Sequence, residues 1–203
     1  MITLYGTSKS RASRSMVALE ELGLAYTHVP LFQDGMTTAD RAILSRLNPN
    51  GRVPVLDDDG FILWESMAIN LYLADRYGGS LWPDGVRERA LVRQWSFWAQ
   101  TEMDRRDWQK VWRSRDATQM EAVQRERLAT LGVLNAALTG RDYLIADAFT
   151  FADLNVAATI CQPNEMGKID GNLDPAEHDL PALTAWLARC VSRESWVKLR
   201  DFP

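Results

Sequence analysis

The stretch that decides the fold is NPNGRVPVL, which runs from Asn48 to Leu56. It joins a dense turn signal to an apolar run, and four turn-forming residues, DDDG, separate that run from a second one. Two short apolar runs at this separation predict a pair of antiparallel strands, Val53–Leu56 and Phe61–Trp64. The apolar spacing that follows predicts a helix over Ser66–Arg76.

The residues upstream complete an α/β pattern. Apolar runs predict strands at Ile2–Gly6 and Tyr26–Pro30, and helical spacing predicts a helix between them at Arg11–Leu22. A strand–helix–strand unit of this kind predicts a parallel pair joined by a right-handed crossover. A further helix is predicted at Thr38–Leu47, so residues 1–77 are expected to form one domain with the order βαβ, α, ββα.

Beyond that domain the pattern changes to helices alone. Residues 78–85 contain GGS and PDG and have the composition of a linker. Residues 86–203 then show amphipathic spacing, which predicts one long helix at Arg87–Arg115 and another at Met120–Leu138. The sequence TFAD at Thr150–Asp153 predicts a capping box at the start of a further apolar helix, a structural rather than a catalytic motif. The expected fold class is therefore α/β plus all-α.

The composition excludes several classes of protein. A chain of 203 residues with 46% hydrophobic and 25% charged residues is globular rather than disordered. The formal net charge is -4, and Asp104, Asp107 and Asp116 are interspersed with the basic residues from Arg105 to Arg115, so no nucleic-acid partner is expected. Cys161 and Cys190 have no CxxC spacing, which predicts free thiols and no metal site. Met1 leads directly into the first strand, so no signal or membrane segment is expected and the cytoplasm is the expected location.

Two features of the deciding region indicate a ligand. Pro54 lacks an N–H group, so it must stand at the start or the edge of a strand. If the Val53–Pro54 bond is cis, the Val53 N–H and C=O groups face outward and can pair with an extended peptide; the sequence leaves the isomer open. Glu65–Ser66 lies at a strand-to-helix junction, where unpaired N–H groups and the helix dipole suit a carboxylate. The local alternative is that Ser66 only caps the helix.

Together these motifs resemble those of the cytosolic glutathione S-transferase superfamily, in its bacterial, serine-type form. The family pattern is N-P-x-G-[KR]-V-P-V-L, an acidic hairpin with glycine, and E-S-x-A-I at the start of a helix. LEELGL at Leu19–Leu24 resembles the first helix of the family, and the capping box at Thr150–Asp153 resembles its counterpart in the second domain. The matching residues are Asn48, Pro49, Gly51, Arg52, Val53, Pro54, Val55, Leu56, Gly60, Glu65, Ser66, Ala68 and Ile69.

The resemblance implies a thioredoxin-like domain over residues 1–77 and an all-helical domain over residues 86–203, with glutathione as the co-substrate. The main chain at the Val53–Pro54 bond, which is cis in the family, would pair with the cysteinyl part of glutathione. The Glu65–Ser66 pair would hold the γ-glutamyl group, and residues 50–52 would lie near the glycyl end or the tripeptide backbone. The binding residues implied in this way are Asn50, Arg52, Val53, Pro54, Glu65 and Ser66.

The catalytic group is expected in the loop GTSKSRASR, residues 6–14. Serine-type relatives usually carry an arginine at the position of Arg14, and the serine that contacts the sulfur lies four or five positions before it. That spacing selects Ser10 over the lysine beside it, with Ser8 as the second choice and Ser13 as the third. A hydroxyl that donates to the sulfur favours the thiolate over the thiol, whose ordinary pKa is about 8.5. The alternative is that Ser10 only caps the first helix.

The resemblance also implies an acceptor pocket between the domains, lined by the first loop and the long helices. Flat apolar side chains suit hydrophobic electrophiles there, with core packing as the alternative role. The expected function is transfer of glutathione to such electrophiles by a homodimer. Glutathione-dependent peroxidase, isomerase or dehalogenase activity and non-catalytic, regulatory binding stay open, whereas thiol–disulfide exchange is disfavoured because the first loop has no cysteine. The candidate lining residues are Phe32, Met103, Trp108, Val111 and Trp112.

Overall fold

The computed structural model describes residues 1–32, 35, 37–114, 116–145, 147–161 and 173–200. Its first half combines one four-stranded sheet with three helices, within the described residues. The elements of this half, in chain order, are β1 (Ile2–Tyr5), α1 (Ala12–Glu21), β2 (Tyr26–Val29), α2 (Thr38–Leu47), β3 (Val55–Asp58), β4 (Phe61–Trp64) and α3 (Ser66–Tyr77).

The sheet has the strand order β2-β1-β3-β4. Strand β1 is parallel to β2 and antiparallel to β3, with Leu4 opposite Leu56, and β3 and β4 form the predicted antiparallel hairpin. Successive residues of β3 point to opposite faces of the sheet, and both faces are covered. Leu56 belongs to the main core together with residues of α1 and α3, whereas Val55 packs in a smaller cluster with Leu44 of α2.

The predicted start of the third strand, Val53, was wrong by two residues, because β3 begins at Val55. Pro54 has no N–H group to give to the ladder, so the hydrogen-bonded strand can start only after it. The peptide bond between Val53 and Pro54 is cis, the isomer that the family resemblance implies. Val53 therefore lies in a loop next to the end of the sheet.

The second half of the described chain is helical. Three short turns of 3₁₀ or π type accompany its α-helices and the connection from α3: a 3₁₀ turn at Gly79–Leu81, a π-helical turn at Ala99–Met103 and a 3₁₀ turn at Pro175–His178. The α-helices, in chain order, are α4 (Val86–Trp98), α5 (Arg106–Ser114), α6 (Ala117–Leu138), α7 (Phe151–Ile160), α8 (Pro181–Val191) and α9 (Glu194–Arg200).

The single long helix predicted at Arg87–Arg115 was also wrong, because the chain leaves the helical path at Asp104. Helix α4 passes into the π-helical turn, whose last hydrogen bond runs from the Asp104 N–H to the Ala99 carbonyl at 3.2 Å. Asp104 itself has φ −99° and ψ 48°, so the next helix starts afresh at Arg106. Apolar periodicity continues across this break, which is why the sequence pattern did not reveal it.

Helix α1 lies at the centre of the molecule. Its residues Ala12 to Leu19 are all buried, and it contacts α3, α7 and α9. The main apolar core runs without interruption from β1 through α1 and α3 to the helices of the second half. The two halves of the chain therefore share one core.

Helix α7 begins with the predicted capping box. The Thr150 side chain accepts a hydrogen bond from the first turn, and the Asp153 carboxylate accepts one from the Thr150 N–H at 3.0 Å. Asp153 is fully buried and also accepts from the Trp186 indole at 2.9 Å and from the Leu144 N–H at 2.9 Å. Burial raises the pKa of Asp153 above its ordinary value despite these hydrogen bonds. The motif joins α7 and α8 and has a structural role.

Three buried polar side chains join α3, α7 and α4 inside the core. The Asn70 side-chain amide donates to the Asn155 side-chain carbonyl at 2.8 Å and to the Arg14 carbonyl at 3.2 Å. The Asn155 amide in turn donates to the Ser96 hydroxyl at 2.8 Å. We call Asn70, Asn155 and Ser96 the buried bridge. Because an unpaired buried amide is costly, each member depends on the next.

None of the helices in the described ranges is both long enough and apolar enough to span a bilayer.

Candidate active site

Gly6 brings the first loop against the loop that contains Val53. Its φ of +133° lies in the region that favours glycine, and a Cβ atom at this position would stand 2.7 Å from the Ala12 Cβ and 3.0 Å from the Val53 Cβ. The Gly6 N–H donates to the Val29 carbonyl at 2.9 Å, and a His28 ring nitrogen lies 2.6 Å from the Gly6 carbonyl oxygen. The absence of a side chain therefore lets the serine-bearing loop and the proline loop touch.

Asn48 shapes the proline loop. Its side chain is buried, its amide donates to the Arg52 carbonyl at 2.8 Å, and its carbonyl accepts from the Asn50 N–H at 2.9 Å. The side chains of Asn50 and Arg52 are exposed beside it. Among the described residues, neither main-chain polar atom of Val53 has a hydrogen-bond partner. A partly buried N–H and carbonyl pair is thus available to an extended ligand.

Glu65 and Ser66 form the junction between β4 and α3. Glu65 has φ 75° and ψ 115°, a conformation that a non-glycine residue adopts at a cost and that is often found at functional sites. Glu65, not Ser66, is the N-cap residue, and no side chain of the described chain caps the helix. The capping role considered for Ser66 is therefore not the one it has. Ser66 is buried in the first turn, beside the exposed Glu65, where free N–H groups favour an anion.

Ser10 is engaged within the first loop. Its hydroxyl donates to the Thr7 carbonyl at 2.8 Å and accepts from the Ala12 N–H at 3.1 Å, so it supports the first turn of α1. This is the local role that the sequence left as an alternative. To donate to a sulfur atom, the hydroxyl must exchange the Thr7 carbonyl for the sulfur. Ser8 is buried, and the Ser13 hydroxyl donates to the Ser10 carbonyl at 2.9 Å.

The residue that sequence reasoning missed is Asp104, which binds the first turn of α1. Its carboxylate accepts from Arg11 Nε and Nη2 at 2.6 Å each, from Arg14 Nη1 at 2.9 Å and from Gln100 Nε2 at 3.1 Å. Burial raises the pKa of Asp104, but the hydrogen bonds and charges of Arg11 and Arg14 outweigh burial and hold that pKa below its ordinary value. The charged side chain of Arg14 on an otherwise buried helix face was the one available signal for this contact.

The candidate acceptor residues belong to different parts of the described structure. Phe32 is half-buried in the small cluster near α2, whereas Met103 ends the π-helical turn and packs in the main core. Val111 is half-buried on α5, and the side chain of Trp112 lies outside the described residues.

Trp108 packs onto α6 and is not exposed to solvent. Its side chain is buried, and its indole Nε1 donates to a Glu126 carboxylate oxygen at 3.1 Å. The guanidinium carbons of Arg105 and Arg127 lie 4.9 and 5.9 Å from its ring. These contacts match the core-packing alternative for this residue. Within the described residues no group of three or more His, Cys, Asp or Glu side chains could hold a metal ion.

Comparison with known proteins agrees with this geometry. The family model for the glutathione S-transferase N-terminal domain matches residues 1–75, and that for the C-terminal domain matches residues 95–194. Glutathione S-transferase GstB of Escherichia coli K12 is 33% identical over 171 residues, which cover 79% of this chain and 82% of GstB. The chain therefore belongs to the glutathione S-transferase family, and the expected fold class, a thioredoxin-like domain followed by an all-helical domain, is confirmed.

Solved structures extend the comparison to the whole chain. The theta-class glutathione S-transferase of Xanthomonas axonopodis pv. citri, solved with glutathione bound, is 29% identical with a TM-score of 0.80, and the match covers 100% of this chain and 98% of that one. Ure2p5 of Phanerochaete chrysosporium, cocrystallized with 1-(S-glutathionyl)-2,4-dinitrobenzene, is 25% identical with a TM-score of 0.78. That match covers 98% of this chain and 92% of Ure2p5.

Proposed function

We propose that this protein transfers the sulfur of glutathione to hydrophobic electrophiles, with glutathione held by residues 1–77 and the acceptor by residues 86–203. The observation that carries the proposal is the placement of three features: the available main chain of Val53, the uncapped start of α3 at Glu65–Ser66, and the serine loop that Gly6 brings against Val53. A tripeptide with a thiol in its centre has matching groups for each feature.

The binding roles follow from the chemistry of each position. The Val53 N–H and carbonyl pair with the cysteinyl main chain, and Pro54 keeps the adjacent backbone out of the ladder. The Ser66 hydroxyl and the first N–H groups of α3 donate to the γ-glutamyl carboxylate, while Glu65 pairs with the γ-glutamyl amino group. The exposed Asn50 and Arg52 side chains contact the glycyl end.

The catalytic role requires a hydroxyl that donates to the sulfur. Ser10 is the proposed donor because it precedes the first turn of α1, where the helix dipole also favours the thiolate. With 1-chloro-2,4-dinitrobenzene as acceptor, the thiolate forms a carbon–sulfur bond, chloride leaves, and the thiol proton passes to solvent. The product is the conjugate that was cocrystallized with Ure2p5.

The test measures binding and turnover separately. We expect the protein to bind glutathione in calorimetry and to form the dinitrophenyl conjugate, with both activities reduced by Ser66→Ala. A protein that binds no glutathione contradicts the proposal. A panel with a hydroperoxide, a maleyl isomer and a haloaromatic acceptor separates transfer from the peroxidase, isomerase and dehalogenase alternatives.

One observation favours a second candidate, a non-catalytic glutathione-binding protein. The Ser10 hydroxyl already donates to the Thr7 carbonyl and accepts from the Ala12 N–H, so both of its hydrogen-bonding roles are in use within its own loop. Titration of the bound thiol by its ultraviolet thiolate absorbance decides between the two candidates. A lowered thiol pKa supports catalysis, and an unshifted thiol pKa supports binding alone.

We propose that the protein acts as a homodimer in a reducing cytoplasm. Phe61 on β4 and Phe97 on α4 are large apolar side chains, and they are 50% and 58% exposed, respectively. The dimer is proposed from the family resemblance, and these two exposed aromatic side chains are its candidate contacts between copies. Cys161 and Cys190 are both buried and free of disulfides, as expected in a reducing compartment. Light scattering coupled to size-exclusion chromatography tests the dimer, and a monomeric mass contradicts it.

A further inference from the structure

The position of Asp104 follows from the π-helical turn that precedes it. This turn contains one residue more per turn than an α-helix, and such turns are often found at functional sites. The Asp104 N–H closes the turn on the Ala99 carbonyl, and the next helix starts two residues later. The carboxylate thereby reaches across to α1, although Arg11 lies 93 residues earlier in the chain.

Asp104 contacts two arginines that follow the proposed thiol donor closely in the chain. Arg11 directly follows Ser10, and Arg14 lies one helical turn further along α1. The Asp104 and Arg14 side chains are buried, with 5% and 8% exposure, whereas the Arg11 side chain is 38% exposed. A bidentate arginine–carboxylate pair fixes both distance and orientation. The start of α1 is therefore attached to the second half of the chain at one carboxylate.

We propose that Asp104 is a positioning residue for glutathione transfer, holding Arg11 and Arg14 so that the Ser10 hydroxyl and the start of α1 face the glutathione sulfur. This inference rests on the proposed function. Met103, the residue before Asp104, is a proposed acceptor contact, so the same turn serves both substrates. The second half of the chain then contributes to activation of the thiol as well as to binding of the acceptor.

Electrostatics alone and positioning predict opposite results for one substitution. Asp104→Asn removes a negative charge and leaves two guanidinium groups near the sulfur, which by charge alone lowers the pKa of the bound thiol. If Asp104 acts by positioning, the loop loses its anchor, the Ser10 hydroxyl leaves the sulfur, and the pKa of the bound thiol rises. The direction of the shift therefore identifies the role.

A second substitution separates the same two effects with less risk to folding. Arg11→Lys keeps the positive charge at a partly exposed position but loses the planar two-donor geometry of the guanidinium group. Charge alone predicts no change in the pKa of the bound thiol. If Asp104 acts by positioning, the pKa of the bound thiol rises in this variant.

The experiment titrates the thiol of glutathione bound to the full-length protein, by ultraviolet absorbance, for the wild type and both variants. We expect a rise of about one pKa unit, equal to about tenfold less thiolate at pH values below both pKa values. The glutathione Kd is expected to change less than about threefold, because the contacts at Val53, Glu65 and Ser66 stay in place, whereas kcat falls with the thiolate fraction.

Asp107→Asn is the matched control, since Asp107 is 61% exposed and pairs with Arg105 at 2.6 Å. It should retain the wild-type thiol pKa. The proposal requires the pKa of the bound thiol to rise in Asp104→Asn and in Arg11→Lys, so an unchanged or lowered thiol pKa in either folded variant overturns it. If Asp104→Asn does not fold, Arg11→Lys decides alone. A purely structural role lowers the melting temperature without moving the thiol pKa, and this result also overturns the proposal.

Glutathione binding and the thiol pKa of the wild type separate a failure of the proposed function from a failure of the role proposed for Asp104. A wild type that binds no glutathione, or binds it with an unshifted thiol pKa, overturns the proposed function and the inference together. A wild type with a lowered thiol pKa, matched by both variants, overturns the inference alone.

Discussion

Arg193 donates two hydrogen bonds of 2.7 Å to the carboxylate of Glu21, a residue 172 positions earlier in the chain. Glu21 is the last residue of α1, and Arg193 lies just before α9. The Ser195 hydroxyl donates to the same carboxylate at 2.5 Å, and the Arg193 guanidinium carbon lies 4.0 Å from the centre of the Phe149 ring. Helix α1 is therefore bound to the second half at its end as well as at its start.

Loss of this ion pair should destabilise the fold. Glu21 has a side-chain exposure of 5%, and its removal by Glu21→Ala leaves Arg193 without its carboxylate. We expect the free energy of unfolding to fall by about 2–3 kcal/mol, less than for a fully buried pair because Arg193 is one-third exposed. Urea denaturation measures the change. Glu194→Gln, which affects an exposed pair with Lys198, should change stability by less than about 1 kcal/mol; equal losses in the two variants would refute the role of Glu21.

Gly6→Ala should destabilise the protein and disturb the site. The added Cβ would stand 2.7 Å from the Ala12 Cβ, and the φ of +133° is unfavourable for alanine. A loss of roughly 1–3 kcal/mol is expected from the backbone conformation alone. The control is Gly132→Ala inside α6, where no heavy atom outside the neighbouring turns of the helix backbone and the adjacent residues lies within 4 Å of the new Cβ. That change should stabilise the protein by about 0.5–1 kcal/mol, because alanine favours a helix. In thermal unfolding, we expect the melting temperature to fall for Gly6→Ala and to rise for Gly132→Ala.

Ser66→Ala should weaken glutathione binding. A hydrogen bond to a charged group contributes about 1.5–3 kcal/mol, so the Kd should rise roughly ten- to a hundredfold. Isothermal titration calorimetry measures the Kd directly. Ser45→Ala on α2 removes an exposed hydroxyl that donates only to the Ala42 carbonyl among the described residues, and it should leave the Kd unchanged. A Kd that is the same in both variants contradicts the assignment of Ser66.

Ser10→Ala and Ser8→Ala should differ in catalysis. If Ser10 donates to the sulfur, its loss raises the pKa of the bound thiol and lowers kcat roughly ten- to a hundredfold at neutral pH. Ser8→Ala should retain the thiol pKa of the wild type. Thiolate absorbance and initial rates with 1-chloro-2,4-dinitrobenzene measure the two quantities. The reverse pattern would assign the role to Ser8.

The contribution of Asp104 to stability should depend on pH. Its pKa is lowered in the folded protein, so its contribution is present above the ordinary aspartate pKa of about 3.9 and is lost as the pH falls through the lowered value. The difference in unfolding free energy between wild type and Asp104→Asn should therefore be larger at pH 7 than at pH 3. Urea denaturation at both pH values measures that difference. A difference that does not shrink in acid would show that Asp104 is not ionised in the fold.

The local elements of the fold were predictable from the sequence. The bounds of α2, Thr38–Leu47, agree with the helical spacing, and the hairpin of β3 and β4 follows from the turn between two apolar runs. The helix at Ser66 was also predicted, since apolar spacing and a turn signal both act within a few residues. These features depend on contacts between near neighbours, which a sequence pattern records directly.

The contacts that define the site could not be read in this way. Asp104 reaches Arg11 across 93 residues and Glu21 reaches Arg193 across 172, and neither pair leaves a periodic signal. The burial of Trp108 depends on α6, which packs against α5 only in the folded chain. The glutathione residues were named through family resemblance rather than through periodicity, because a loop such as Asn50–Pro54 has no period of its own.

The buried bridge of Asn70, Asn155 and Ser96 has a consequence for how such proteins diverge. One amide lies in α3, and its partners lie in α7 and α4, so exchange of the helical half with that of a relative brings new neighbours to Asn70. A chimera whose donor carries leucine at the position of Asn155 would leave the buried Asn70 amide without one of its two acceptors. Recombination between relatives is therefore constrained to partners that inherit these three polar residues together.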